Sequence, residues 1–208
     1  MRVVTAAQGT PEWHAAHIGV PSGSHFSDIM AKGTGVTRQN YLTAIALERI
    51  TGVREEFKAT KAMEDGVERE PFARASYEAM TGEIVDEIGF CLHDQLQCGV
   101  SPDGLVNGNG MTEYKCPQPK THLEYMRLEK GKCPSAYRWQ VLGQLWVAER
   151  EWCDFVSYHP DFPESARLVV RRVYRDDKAI KELESEVVRF LEDVEKEVDF
   201  IRNYQEAA

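Results

Sequence analysis

The chain has 208 residues, 42% hydrophobic and 28% charged. That is enough for one sizeable core in a single domain, and it excludes a disordered chain. The net charge is −9, which as an average argues against a surface that binds nucleic acid everywhere.

No apolar run approaches the ~20 residues of a membrane helix, and the start, Met1 to Thr5, lacks the apolar stretch of a secretory signal. The five cysteines show no C-x-x-C pair and read as free thiols in a reducing cytoplasm.

The first third reads as mostly helical. Ser22-Gly23-Ser24 suits the start of a short helix from His25 to Ala31, and Gly33-Thr34-Gly35 reads as a loop. Thr37 can cap a helix that carries Tyr41, Ile45, Leu47 and Ile50 and stops at Gly52. A second helical stretch runs from about Ala62 to Met80 and stops at Thr81-Gly82. Pro71 is expected to interrupt or bend it near Glu70.

The period then changes. Ile84 to Leu92, Leu96 to Val100, Leu105-Val106 and Met111 to Lys115 read as strands, the last two joined by the turn Asn107-Gly108-Asn109-Gly110. Helices follow near Thr121 to Leu128 and from Pro134-Ser135 to about Arg150. Cys153 to Tyr158 and Leu168 to Tyr174 read as strands. From about Asp176 to Tyr204 one amphipathic helix puts Ile180, Leu183, Val187, Phe190, Leu191, Val194, Val198 and Ile201 on one stripe. The order predicts one mixed α/β domain, residues 1–208, around a central sheet.

The chemistry concentrates in Ser101-Pro102-Asp103-Gly104 and, nine residues on, Glu113-Tyr114-Lys115. On a strand of period two, Glu113 and Lys115 share a face and Tyr114 takes the other. Asp103, at a strand end, can converge on that face. Mg²⁺ is held by one or two carboxylates with waters and phosphate oxygens, so Asp103, Glu113 and the Tyr114 carbonyl form a suitable donor set. Lys115 can hold an attacking hydroxide or offset charge in the transition state. The plainer reading is a turn aspartate beside a solvated Glu-x-Lys pair.

Further motifs fall in a particular order. They are Gly9-Thr10-Pro11-Glu12-Trp13-His14, Ile18-Gly19-Val20 and Ser24, then Gly66, Glu70-Pro71, Ala73, Arg74, Tyr77 and Thr81. Glu113-Tyr114-Lys115-Cys116-Pro117, Ser135-Ala136-Tyr137, Gln140-Val141 and Trp146-Val147 complete the series. Together with Ser101 to Gly104 they resemble the PD-(D/E)XK nucleases, and more narrowly the lambda exonuclease (YqaJ-like) recombinase family.

The resemblance implies a restriction-endonuclease-like central mixed sheet flanked by helices. It implies a Mg²⁺-dependent 5′-to-3′ exodeoxyribonuclease on linear duplex DNA, with Mn²⁺ as a substitute ion, leaving 3′ single-stranded tails. It also implies a ring-shaped homotrimer, a single-strand annealing protein as partner in phage-type recombination, and a place in the cytoplasm of a bacterial or phage-infected cell.

Residue by residue, the resemblance makes Asp103 and Glu113 metal ligands, Lys115 the catalytic lysine and Glu70 the helix carboxylate that completes the acidic site. Gln140 lines the same site. Ser24 and Ser101 match hydroxyls at the terminal phosphate or nearby backbone, and Ser24 also reads as a helix cap. His17 stands where the family carries a phosphate-gripping arginine; a protonated His17 can still meet phosphate. Met63 matches an apolar wedge at the duplex end, beside the plainer reading of a buried helix methionine. His14, His17 and His25 suggest a metal site, but no fourth ligand has suitable spacing.

Charge by segment removes the opening objection. Residues 62–114 carry −9 and residues 176–208 carry −6, while residues 115–138, with Lys115, Lys120, Arg127, Lys130, Lys132 and Arg138, carry +4. That basic segment can follow a phosphate backbone. Two rival readings stand beside the exonuclease: a PD-(D/E)XK endonuclease, and a non-catalytic protein that binds DNA ends or other proteins.

Overall fold

The computed structural model describes residues 1–6, 9–31, 36–54 and 60–205. In chain order the elements are β1 (Arg2–Val4), α1 (Pro11–His17), α2 (Phe26–Ile29), α3 (Thr37–Thr51), α4 (Lys61–Thr81), β2 (Val85–Asp86), β3 (Phe90–Leu92), β4 (Gly99–Val100), β5 (Gly104–Val106), β6 (Gly110–Lys115), α5 (Pro119–Met126), α6 (Arg138–Val147), β7 (Trp152–Tyr158), β8 (Leu168–Tyr174) and α7 (Asp177–Arg202). The expected loop at Gly33-Thr34-Gly35 lies outside the described residues.

Five strands pair in the order β2-β5-β6-β7-β8. Every neighbour is antiparallel except β6 and β7, which run parallel from Gly110↔Trp152 to Lys115↔Ser157. Parallel neighbours need a long crossover, and α5 and α6 supply it. Asn107, at φ 50°, and Gly108, at φ 76°, turn the chain between β5 and β6. Left-handed backbone of this kind is easiest for Asn and Gly.

Alternation along β6 sorts side chains to two faces. On one face, Met111, Cys153 and Phe155 join α2, α3, α6 and α7 in the larger core. On the other, Tyr114, Trp152, Val156 and Tyr158 pack under Ala73 and Tyr77 of α4. The expected stripe of α7 is observed: Ile180, Leu183, Val187, Phe190, Val194 and Val198 are buried. Asp176 caps that helix by accepting a hydrogen bond from the Ala179 N–H.

The structure differs from the sequence reading in five places, the first being that Thr37 is the opening residue of α3 and not its cap, a position held by Val36 without a side-chain hydrogen bond. α4 runs unbroken through Pro71. Proline removes one donor, to the carbonyl of Val67, and both Val67 and Pro71 are exposed, so water can take the freed acceptor. Ile84 to Leu92 is not one strand: β2 joins the large sheet, while β3 pairs with β1 and β4 in a second, three-stranded sheet. The break falls at Gly89, where an added Cβ would lie 2.0 Å from the Val4 carbonyl oxygen. β1 itself, in the part read as helical, is a strand. Ser22 makes no side-chain capping bond, and the residue before α2 is His25, not Ser24.

Candidate active site

β5 ends its ladder with β6 at Gly104↔Thr112. Asp103, just before β5, turns back along the uncovered edge of β6. Its N–H donates to the Thr112 carbonyl at 3.2 Å, and its Oδ2 accepts from the Tyr114 N–H at 2.6 Å. The N–H and C=O of a strand residue point to the same side. The Tyr114 carbonyl therefore faces the Asp103 edge as well.

Glu113 and Lys115 project together to the α6 face, and Lys115 Nζ donates to Glu113 Oε1. Tyr114 points the opposite way, against Tyr77, with ring centroids 6.3 Å apart. Glu113 is 1% exposed, so its charge depends on fixed donors. Two come from α6: Gln140 Nε2 reaches Oε1 at 2.7 Å, and Gln144 Nε2 reaches Oε2 at 2.6 Å. Gln144 also donates to the Ser101 carbonyl at 3.2 Å, tying α6 to the strand end that carries Asp103. Sequence reasoning missed Gln144. Its signal was the spacing from Gln140, four residues and so one helical face.

Glu70, on α4, completes the wall of the same cleft, which measures about 1030 Å³ and is also lined by Trp13, His17, Ser24, Arg54, Met63 and Ser101. All ten residues singled out from the sequence line this cleft except Tyr114, whose ring is on the other face. Met63 is 49% exposed, so it is not a buried helix methionine. Ser101 Oγ and Gln144 Oε1 are buried without a protein partner.

Three carboxylates thus share one cleft with one lysine. Burial, then the charge of Glu113, pushes the Asp103 carboxyl well above the usual range. Burial also raises Glu70, against the pull of Lys115 and with the push of Glu113. Burial works against the charge of Lys115, but Glu113 and Asp103 outweigh it and raise its pKa. Lys115 is therefore an ammonium, a donor rather than a base. Among the described residues no group of three or more His, Cys, Asp and Glu side chains forms a ready ion cage. A hard divalent ion does not need one. A buried carboxylate, Glu113, and a partly buried one, Asp103, in mutual repulsion, a strand carbonyl on the same edge and room for water and phosphate fit such an ion.

His17 departs from expectation. It is 4% exposed, stacks on Phe90 with centroids 3.6 Å apart, and shares a 2.7 Å hydrogen bond between Nδ1 and the Trp13 carbonyl. Burial lowers its pKa to about 4. At neutral pH the ring is uncharged, with Nδ1–H spent on Trp13, so a protonated contact to phosphate is not available there. His25 pairs with Asp28 at 2.7 Å. The five cysteines are free thiols. No helix among the described residues is long and apolar enough to cross a membrane.

Comparison with known proteins gives a consistent set of matches. The YqaJ-like viral recombinase domain matches residues 12–151. The crystal structure of LHK-Exo, an alkaline exonuclease from Laribacter hongkongensis, is 40% identical, with a TM-score of 0.86 over 93% of this chain and 96% of that one. LHK-Exo in complex with dAMP gives 40% identity and a TM-score of 0.87 over the same shares. A phage-related exonuclease from Haemophilus somnus 129PT shares the fold at 13% identity, with a TM-score of 0.72 over 88% of this chain and 96% of that one. No curated protein matches.

Proposed function

The chain belongs to the YqaJ-like viral recombinase domain family and is a DNA exonuclease, and we propose that it digests linear duplex DNA from the 5′ end with Mg²⁺. The observation that carries this reading is the meeting of Asp103, Glu113 and Lys115 in one cleft with Glu70 across from them. Asp103, Glu113 and the Tyr114 carbonyl would hold the ion, with Mn²⁺ as a substitute. What a bound ion supplies is Lewis acidity toward a phosphate and a lower pKa for water.

The chain's own residues do the rest. Gln140 and Gln144 fix both oxygens of Glu113, so the carboxylate is in place before substrate arrives. The Lys115 ammonium sits beside Glu113, where it can orient an attacking water by donating to its oxygen. The same charge offsets the negative charge that gathers on the phosphate as the P–O3′ bond breaks. Glu70, raised in pKa, is placed to accept a proton from that water. Met63, half exposed at the cleft wall, is placed to part the terminal base pair. Lys120, Arg127, Lys130, Lys132 and Arg138 are exposed and give a path for the DNA backbone.

In this reading residues 1–208 form a single exonuclease domain. The protein works as a homotrimer in the cytoplasm of a bacterial or phage-infected cell. The 3′ tails it leaves are used by a single-strand annealing protein.

The test is one linear duplex labelled at its 5′ or its 3′ end, and the same DNA as a covalently closed circle, with wild type and Lys115→Ala. Mg²⁺-dependent release of label from the 5′ end of the linear form is expected, with circles intact. Cut circles would favour an endonuclease. Digestion that survives in Lys115→Ala would remove the assigned site. Light scattering tests the trimer.

A further inference from the structure

The motif Ser135-Ala136-Tyr137 has no task in the chemistry above. It folds as one 3₁₀ turn, Ser135–Tyr137, that runs straight into α6. Tyr137 lies three residues before Gln140 and seven before Gln144, so the three side chains share one helical face. The two glutamines hold Glu113. The tyrosine meets Lys115, whose Nζ lies 5.0 Å from the centroid of the Tyr137 ring. That is within the ~6 Å over which an aromatic face attracts a cation.

The ring is fixed by its own neighbours. Its centroid lies 5.5 Å from that of Phe155, which pairs with Glu113 across the parallel strands β6 and β7. Tyr125 of α5 sets its edge against the same Phe155, with centroids 5.7 Å apart. Tyr137 thus belongs to a three-ring cluster that joins α5, α6 and the sheet at the level of Glu113. Lys115 has no such support of its own. It stands at the last position of β6, its side chain is 26% exposed, and its ammonium rides on a flexible four-carbon stem.

Lys115 needs a fixture that does not use up its donors. An ammonium has three N–H bonds, and one goes to Glu113. Another carboxylate would take a second, and would add negative charge to a cleft that already holds Asp103, Glu113 and Glu70. A ring face attracts the cation through its quadrupole and adds no net charge. The other N–H bonds stay free for oxygen atoms of water and phosphate.

We propose that Tyr137 is the positioning residue for Lys115: its ring face holds the ammonium beside Glu113, so that the free donors of Lys115 are in place for the attacking water and the scissile phosphate. Tyr137 acts through Lys115 and not on the DNA itself. This rests on the role given to Lys115 above.

The experiment replaces Tyr137 in the full-length protein by Phe, by Leu, and by phenylalanines carrying one, two or three ring fluorines. Fluorine drains the ring face of electron density while leaving its shape nearly unchanged. For each protein kcat and KM are measured on linear duplex DNA with Mg²⁺, with Lys115→Ala beside them. Tyr137→Phe should keep kcat within about twofold of wild type, because the ring face remains. Tyr137→Leu and the trifluorinated ring should lower kcat about 5- to 30-fold, the worth of a cation–π contact sheltered from water, with KM little changed. Log kcat should fall evenly with each fluorine. In metal-free protein, proton NMR of the Lys115 ε-CH₂ should show a ring-current shift in wild type and Tyr137→Phe that disappears in Tyr137→Leu.

A flat fluorine series overturns the proposal, and so does a rise in KM at constant kcat, which would put the ring on the DNA. Should thermal unfolding show Tyr137→Leu to be misfolded, the fluorine series decides alone. An inactive Lys115→Ala beside a flat series removes Tyr137 and leaves the exonuclease site standing. Full activity in Lys115→Ala overturns both.

Discussion

The two faces of the central sheet each bury a carboxylate, and they treat it in opposite ways. Asp154, on β7 and 2% exposed in its side chain, is neutralised on the spot. Arg172 of β8 grips both its oxygens at 2.9 and 2.8 Å, Tyr77 of α4 donates at 2.7 Å, and Arg172 lies 3.7 Å above the Trp152 ring. Glu113, one strand position beyond the level of Asp154 on β6, receives one lysine and two neutral amides, and has Asp103 and Glu70 as neighbours. One face balances its charge and locks helix to sheet. The other is left with surplus negative charge, which raises the pKa of Asp103 and Glu70 and suits a cation from outside. A buried acid marks a site when its neighbours fail to cancel it, not by its burial alone.

Single substitutions can break that contrast. Lys115→Ala or Glu113→Gln should lower the nuclease rate per folded molecule about 1000-fold or more; a smaller loss would put the chemistry elsewhere. Asp154→Ala should do the reverse. Urea unfolding should read a loss of about 2–4 kcal/mol, because Arg172 and the Tyr77 hydroxyl lose their shared acceptor, while the rate per folded molecule changes little. Should Asp154→Ala abolish activity in fully folded protein, the two faces are not separable.

Gln144→Leu should reduce the rate about 10-fold, the worth of one hydrogen bond to a charged acceptor, with substrate KM less affected than kcat. Asp103→Asn should raise stability by about 1 kcal/mol in metal-free buffer, since it removes one of the repelling charges. It should also remove the thermal stabilisation that Mg²⁺ gives the wild type. Equal stabilisation of both proteins by Mg²⁺ would take Asp103 off the list of ligands.

The smallest effect at neutral pH concerns His17. Its folded pKa of about 4 lies below the ordinary 6.5, so the unfolded chain binds the extra proton between those values. Its contribution is fully present above pH 6.5 and lost as pH falls toward 4. His17→Phe, which keeps a ring against Phe90, should flatten that part of the stability profile measured by denaturant midpoint. An unchanged slope would mean that His17 takes its proton without unfolding.

Much of this was legible because it follows from strict periods. The α7 stripe and the division of Glu113 and Lys115 from Tyr114 are consequences of 3.6 and 2 residues per repeat, and α3 ends at Gly52 because glycine takes the left-handed cap, at φ 68°, without strain. What was not legible depends on approach through space. Gln144 reads as an ordinary core-helix residue until α6 is laid over β6. The split between β2 and β3 depends on how closely Val4 passes Gly89. Pro71 is tolerated because of which way its helix faces. The neutrality of His17 follows from Phe90, seventy-three positions away.

The single parallel pairing in the sheet has a consequence for the order of assembly. β6 cannot meet β7 until the forty-odd residues between Gly110 and Trp152 have closed on themselves, and such long closures come late and slowly in folding. A nascent chain that has just emerged past Lys115 already holds Asp103, Glu113 and the lysine. It lacks α6, whose amides fix the carboxylate, and β7, which supports the strand beneath it. On the proposed assignment the site is therefore completed only when nearly the whole domain has been made, and a product truncated after Lys115 is expected to be inert rather than indiscriminate.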